Sequence, residues 1–360
     1  MRLITVSSLV FAAALSSTAT SQNPKPTAEK QAKPPKAKLD SGVLAKFFQG
    51  DAPIAMTLTA NIGKLRGDKK AETAPWRDAT LEYTADTAHG TIPIKVKTRG
   101  IWRLNNCQFP PVRLNFPGEA TKHTIFHGLD KPKLTNHCRN DDTYEQYVLQ
   151  EFQLYRIYRM LTPTGHTARL VRMTYMDSAN PKPLATRYAF IQEEPTAVAE
   201  RLGAKQSKLK GAGPKDLEPF QSGLVGVFEY MIGNTDFAMS ALHNIELYQM
   251  PNGDYIPVAY DFDFSGAVNS RYATADPRLH IRNVRERLYR GFCVPNETYP
   301  QIFALFNAKK DSIYALYRDP IGKLLKQNIV DETLEYFDDF YKVINEPRSA
   351  KMRIIDECKK

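Results

Sequence analysis

Between residues 92 and 192 the chain keeps returning to a period of two, and beyond residue 217 it changes to a period near 3.6; this ordering restricts the fold more than any other feature. Ile92, Ile94, Val96 and Thr98 alternate with Pro93, Lys95 and Lys97, and Val112-Arg113-Leu114-Asn115-Phe116 alternates again, which predicts two half-buried strands. Segments 168–176 and 184–192, rich in Val, Ile, Tyr and Thr, flank Asp177-Ser178-Ala179-Asn180-Pro181 and predict a hairpin. Pro195 and Gly203 frame a short helix, and 217–232, with Pro219 near its first turn, predicts a largely apolar one. Helical spacing resumes at Tyr299 and runs through Ile302, Phe306 and Ile313, then through Leu334, Phe337 and Phe340. Strands first and helices later predict an α+β fold.

One helix is set among the strands. Thr143-x-x-Gln146 has the form of a capping box, and Val148, Glu151, Phe152 and Tyr155 share the face that follows it. A carboxylate in an apolar stripe needs a partner. Glu151 is therefore either the mate of a basic group or a residue at the stripe's edge in water, with Glu145 a competing position.

Arg2, the apolar run 3–15 and the small residues 16–21 predict a secretory signal over residues 1–21. Residues 22–40, rich in proline and lysine with almost no bulky apolar side chains, predict an extended linker. Its lysines carry part of the +10 formal charge, and no aromatics interleave them, which argues against a nucleic-acid arm. The expected location is secreted or periplasmic, with no transmembrane segment in the mature chain. Cys107, Cys138, Cys293 and Cys358 allow three pairings, of which Cys107 with Cys138 includes the shortest loop. The absence of C-x-x-C and the scatter of the seven histidines exclude the usual zinc spacings.

The residues with the most chemistry are Gly233-Asn234-Thr235-Asp236, then His243-Asn244, then Tyr260-Asp261-Phe262-Asp263. Two apolar arms, 245–249 and 255–259, surround Asn252-Gly253. A two-residue loop there pairs Asn244 with Asp261, and the period of two puts Asp263 on the same face. Cross-strand partners lie about 4.5–5.5 Å apart, so an amide oxygen and carboxylates so placed suit one hard cation.

These motifs resemble the atypical kinases of the spore-coat-protein-H (CotH) family, and more distantly the HipA-like and lipid-kinase-like groups, over roughly residues 95–266. The resemblance implies a two-lobed protein-kinase-like fold: a β-rich small lobe, 41–194, with one central helix, and a helical large lobe, 195–360, carrying a metal-binding hairpin, 244–263. It implies ATP with Mg²⁺ or Mn²⁺, Asp236 orienting an acceptor hydroxyl, and Asn244, Asp261 and Asp263 on the metal. It also implies that Arg99, Gly100 and Arg113 grip the phosphates, with Glu151 as the ion-pair partner; Arg113 stands where lysine is usual in that family. The expected activity is an exported kinase acting on an acidic protein or a small-molecule hydroxyl acceptor. A catalytically inactive kinase-like binding module and a metal-dependent phosphohydrolase are the alternatives. Arg278, His280, Arg282, Arg285, Arg287 and Arg290 crowd together against Glu286, either as a solvated face or as an anion-binding wall.

Overall fold

The computed structural model describes residues 43–85 and 88–360; the predicted leader and linker lie outside them. Seven strands, β1 (Ile54–Ala60), β2 (Arg77–Ala85), β3 (Ala88–Thr98), β4 (Val112–Asn115), β5 (Lys133–Thr135), β6 (Ala168–Asp177) and β7 (Asn180–Gln192), form a closed barrel. Their order is β1-β2-β3-β4-β5-β7-β6, and β6 returns to β1 in parallel, with Ile54 opposite Val171 and Ala60 opposite Asp177. The other ladders are antiparallel. Leu58, Leu81, Val96, Leu114, Leu134, Val171 and Ile191 fill the interior. The period of two puts their polar neighbours, Arg113 among them, on the outside.

This architecture overturns the expected two-lobed kinase-like fold. The β-rich part is a closed mixed barrel, and the described residues all fall within one compact unit. Closure depends on the parallel β1–β6 ladder, which joins segments far apart in sequence and removes both sheet edges. No local motif reports such a pairing.

The second core is helical. The helices Asp142–Leu161, Pro219–Ile232, Thr298–Ala315 and Gln327–Asn345 bury one cluster that includes Phe228, Ile302, Phe306, Phe337 and Phe340. Asp141, not Thr143, caps the first of them by accepting from the Thr143 N–H at 2.7 Å. Gln146 is thereby free for tertiary use, donating to Leu324 O and accepting from Lys326 N. Val148, Glu151, Phe152 and Tyr155 are all buried, as their spacing requires. Glu145 instead binds Arg172 and Arg187 of the barrel. On the helix Pro219–Ile232, Glu218 accepts from two backbone N–H groups at the start, and Gly233 ends it in the left-handed region, φ 66°. A Cβ on Gly233 would come within 2.0 Å of Tyr336 Oη, so both backbone and packing require glycine there.

A three-stranded sheet, ordered β10-β9-β8, lines the helical half: β8 (Lys205–Ser207), β9 (Ile245–Gln249) and β10 (Tyr255–Ala259). Its register is one residue away from the expected one, with Ala259 opposite Ile245 and Tyr255 opposite Gln249. The loop holds three residues, closed by Met250 N–H to Asp254 O at 2.8 Å, with Gly253 at φ 96°. Asn-Gly is also suited to a longer loop that ends in a left-handed glycine. Asn244 therefore faces Tyr260, whose N–H donates to Asn244 O at 3.1 Å, and not Asp261.

All four cysteines are paired, Cys107 with Cys138 and Cys293 with Cys358. The first bridge spans 31 residues and ties the β3–β4 connection to the segment after β5. Cys107→Ser with Cys138→Ser is expected to cost about 3 kcal/mol of stability by relaxing the unfolded chain. Denaturant melts of oxidised wild type and the double variant would show it, and equal midpoints would contradict it.

Candidate functional site

Two oppositely charged walls meet where the outer side of β4 and β5 approaches the helical half. The cationic wall begins at Arg99, just beyond β3. Its N–H donates to Pro111 O at 3.0 Å and its Nη2 reaches Leu134 O and Thr135 Oγ1 at 3.4 and 3.3 Å. Gly100, at φ 76°, then turns the chain, and Arg103 donates to Asn136 O. The Nε atoms of Arg99 and Arg103 are both buried with no hydrogen-bond partner among the described residues. Arg113 lies between Lys97 and Lys133 across the ladder. Lys133 sits on β5 with its Nζ 4.1 Å from the centre of the Tyr260 ring. Burial, reinforced by Arg99, lowers its ammonium to about 8.

The acidic wall is made of Glu151, Asp261 and Asp263. Tyr155 Oη holds this side together, accepting from Asp261 N at 2.9 Å and bonding Gln192 Oε1 at 3.2 Å. Asp263 accepts from Tyr272 Oη at 3.1 Å, and its carbonyl accepts from Ser270 Oγ. Burial, then the neighbouring Asp261, raises the Asp263 carboxyl to about 7. Burial, then Asp263 and Asp261, lifts Glu151 well above the usual carboxylate range. Like charges taken out of water resist ionising together.

Asp236 forms a third group beside these walls. Its Oδ1 lies 2.9 Å from His243 Nε2, its Oδ2 3.1 Å from Asn244 Nδ2, and its N–H donates to Asn234 Oδ1 at 3.0 Å. Both of Asn244's side-chain bonds use the amide nitrogen, which leaves its oxygen uncommitted. Asn244 and Asp261 have φ values of 52° and 66°, and Asp261 and Asp263 lie beyond the end of β10. Strand alternation therefore does not set which way these side chains face, contrary to the simple hairpin geometry.

Arg99, Glu151, Asp261 and Asp263 come together as one electrostatic group, with Arg113 at its edge through Arg99 and Lys133. Glu151 is not the partner of Arg113; the cations acting on it are Arg103 and Arg99. The stripe-edge alternative for Glu151 is also overturned, since the residue is 2% exposed. Arg103, Lys133 and Tyr272 belong to the site without having been singled out by any motif. The available signal was weak: Arg103 follows Arg99 in the same Arg-Gly connection, and Lys133 opens a strand of only three residues.

The arginine-rich segment 278–290 divides into two groups: Arg278 and Arg282 stay in solvent, and Arg285, Arg287 and Arg290 turn inward. Arg278 pairs with Asp276 and Arg282 with Glu286. Arg285 and Arg287 stack on Tyr336, at 4.2 and 3.5 Å. Arg287 also donates to Tyr230 O and Met231 O in the last turn of the helix Pro219–Ile232, and Arg290 donates to Thr235 O. These cations hold the Gly233–Asp236 turn in place.

Among the described residues, no three His, Cys, Asp or Glu side chains converge to hold a metal ion, and no helix is long and apolar enough to cross a membrane. No protein-family model matches the chain, and no curated protein is significantly similar to it in sequence.

Proposed function

We propose that this chain is an exported phosphotransferase that moves the γ-phosphoryl group of ATP to a hydroxyl acceptor with the help of Mg²⁺ or Mn²⁺. The observation that carries this reading is a cluster in which Arg99, Arg103 and Lys133, with Arg113 at their edge, act electrostatically on Glu151, Asp261 and Asp263, while Trp102 beside Arg103 touches Tyr272 on the acidic side. Guanidinium groups with buried, unpartnered Nε atoms suit phosphate oxygens, which accept charge-assisted bonds. The reading keeps the chemistry implied by the resemblance and discards its fold. The two disulfides agree with an exported chain.

Asp261 and Asp263 offer oxygen donors of the kind a divalent cation takes. Burial and the neighbouring Asp261 oppose ionisation of Asp263, and a cation removes that opposition. Asp261, Asp263 and the free amide oxygen of Asn244 would hold it, and it would neutralise phosphate charge when bound. Asp236 orients the acceptor hydroxyl and takes its proton as the new O–P bond forms and the bridging bond to the β-phosphate breaks. Arg99, Arg103 and Lys133 stabilise the charge gathering on the departing phosphate oxygens.

Thermal unfolding with ATP and Mg²⁺ tests the proposal. Saturation at a hundred times the dissociation constant stabilises the folded protein by about 2.7 kcal/mol, whereas Asp261→Ala and Lys133→Ala should lose most of that gain. Affinity should also fall above about pH 8, where Lys133 gives up its proton, and below about pH 7, where protons compete with the cation for Asp263. A wild-type protein that millimolar ATP and Mg²⁺ fail to stabilise would sink the assignment.

A further inference from the structure

The connection between β3 and β4 is anchored firmly on its barrel side. Arg99 N–H bonds Pro111 O, Arg103 bonds Asn136 O, and the Cys107–Cys138 bridge ties down the far end. At its tip one side chain reaches the helical half. The Trp102 ring lies 5.2 Å from the ring of Tyr272 and stands edge-on to Phe264 at 6.0 Å. Tyr272 is itself braced by Tyr144, stacked at 6.2 Å, and by Tyr147, edge-on at 5.9 Å, and its hydroxyl donates to Asp263 Oδ2. A continuous path of contact therefore runs from the arginine-bearing loop, through two rings, to a carboxylate on the opposite wall. Trp102 is nevertheless 41% exposed, and Ile101 beside it 76%, so burial alone does not account for a large ring at this point.

We infer that Trp102 and Tyr272 are positioning residues, a clasp that couples the placement of the Arg99–Arg103 loop to the orientation of Asp263. Its ligand-dependent role rests on the proposed nucleotide site; the coupling itself does not. When a nucleotide polyphosphate with its cation sits between the walls, the arginines and Asp263 are drawn to opposite ends of the same ligand, and the clasp makes the two adjustments concerted. Loop and carboxylate then share one equilibrium, and a ligand that favours one favours the other.

Trp76 and Trp102 are the chain's two tryptophans, so Trp76→Phe leaves Trp102 as the sole tryptophan, read by excitation beyond the tyrosine band. In that background, Mg²⁺ with ATP should shift Trp102 emission. Trp102→Ala should weaken Mg²⁺-ATP binding by about fivefold or more, and Trp102→Phe, which keeps a ring for Tyr272, should recover most of the loss. A second measurement needs no ligand. Trp102 and Asp263 are joined through Tyr272 and through Phe264, which follows Asp263 in the chain, and the melting shifts of Trp102→Ala and Asp263→Asn should depart from additivity by about 2 °C or more. Additive shifts, or binding of Mg²⁺-ATP with silent Trp102 emission, would overturn the clasp and leave the nucleotide site standing. Absent Mg²⁺-ATP binding with non-additive shifts would retain the clasp and remove the phosphotransferase reading.

Discussion

Asp236→Ala is expected to lower phosphoryl transfer by about 10²–10⁴-fold, the usual contribution of a positioned acid or base, while Mg²⁺-ATP affinity stays near that of the wild type. The side chain is 44% exposed, so an acceptor hydroxyl can reach it. It is also held firmly: His243 and Asn244 bind its two carboxylate oxygens, and Arg290 secures the carbonyl of the preceding Thr235. Its contact with the acceptor matters mainly in the transition state, so its loss should appear in kcat more than in nucleotide binding. Asp236→Asn keeps the shape and an acceptor oxygen but cannot take the proton, and should be nearly as slow. Steady-state kinetics with calorimetric ATP binding would decide. A parallel loss of affinity and rate would place Asp236 on the nucleotide and contradict the role assigned here.

Phe262→Ala is expected to destabilise the fold by about 3–5 kcal/mol, as for large aromatic truncations in cores. Phe262 is fully buried between the two site carboxylates in sequence, with ring centres 4.8 Å from Tyr155, 5.4 Å from Phe228 and 6.1 Å from Tyr158. These rings come from two helices, so the cavity left by truncation has rigid walls and closes poorly. A loss of that size corresponds to a fall in melting temperature of roughly 5–8 °C. Metal-dependent nucleotide binding should weaken even well below the new midpoint, because Phe262 fixes the backbone on which Asp261 and Asp263 are carried. Phe262→Leu should retain more stability than Phe262→Ala. Melting shifts of only a degree or two would show that the site can repack and that Phe262 does not anchor it.

Several elements follow from local rules that the sequence states outright. The alternation at residues 92–98 and 112–116 is β3 and β4, the Pro219 and Gly233 signals bound a helix, and the stripe through Val148, Phe152 and Tyr155 is buried. Each depends on side-chain spacing or on one backbone preference, and both act over a few residues. The same spacing could place Glu151 on the stripe but could not supply its partners, because Arg99 and Arg103 arrive from a loop closed by another part of the chain.

Tertiary structure alone decided the rest. Closure of the barrel requires β1 to lie parallel to β6, a pairing whose loop-closure entropy is repaid only when the whole sheet is assembled. The hairpin register turned on whether Gly253 ended a two- or a three-residue loop, and one residue of slip moved Asn244 from Asp261 to Tyr260. Lys133 entered the site, and Arg287 was drawn onto the end of the helix Pro219–Ile232, for a common reason: a charge acquires its role from neighbours brought in by folding, and residue type alone does not name those neighbours.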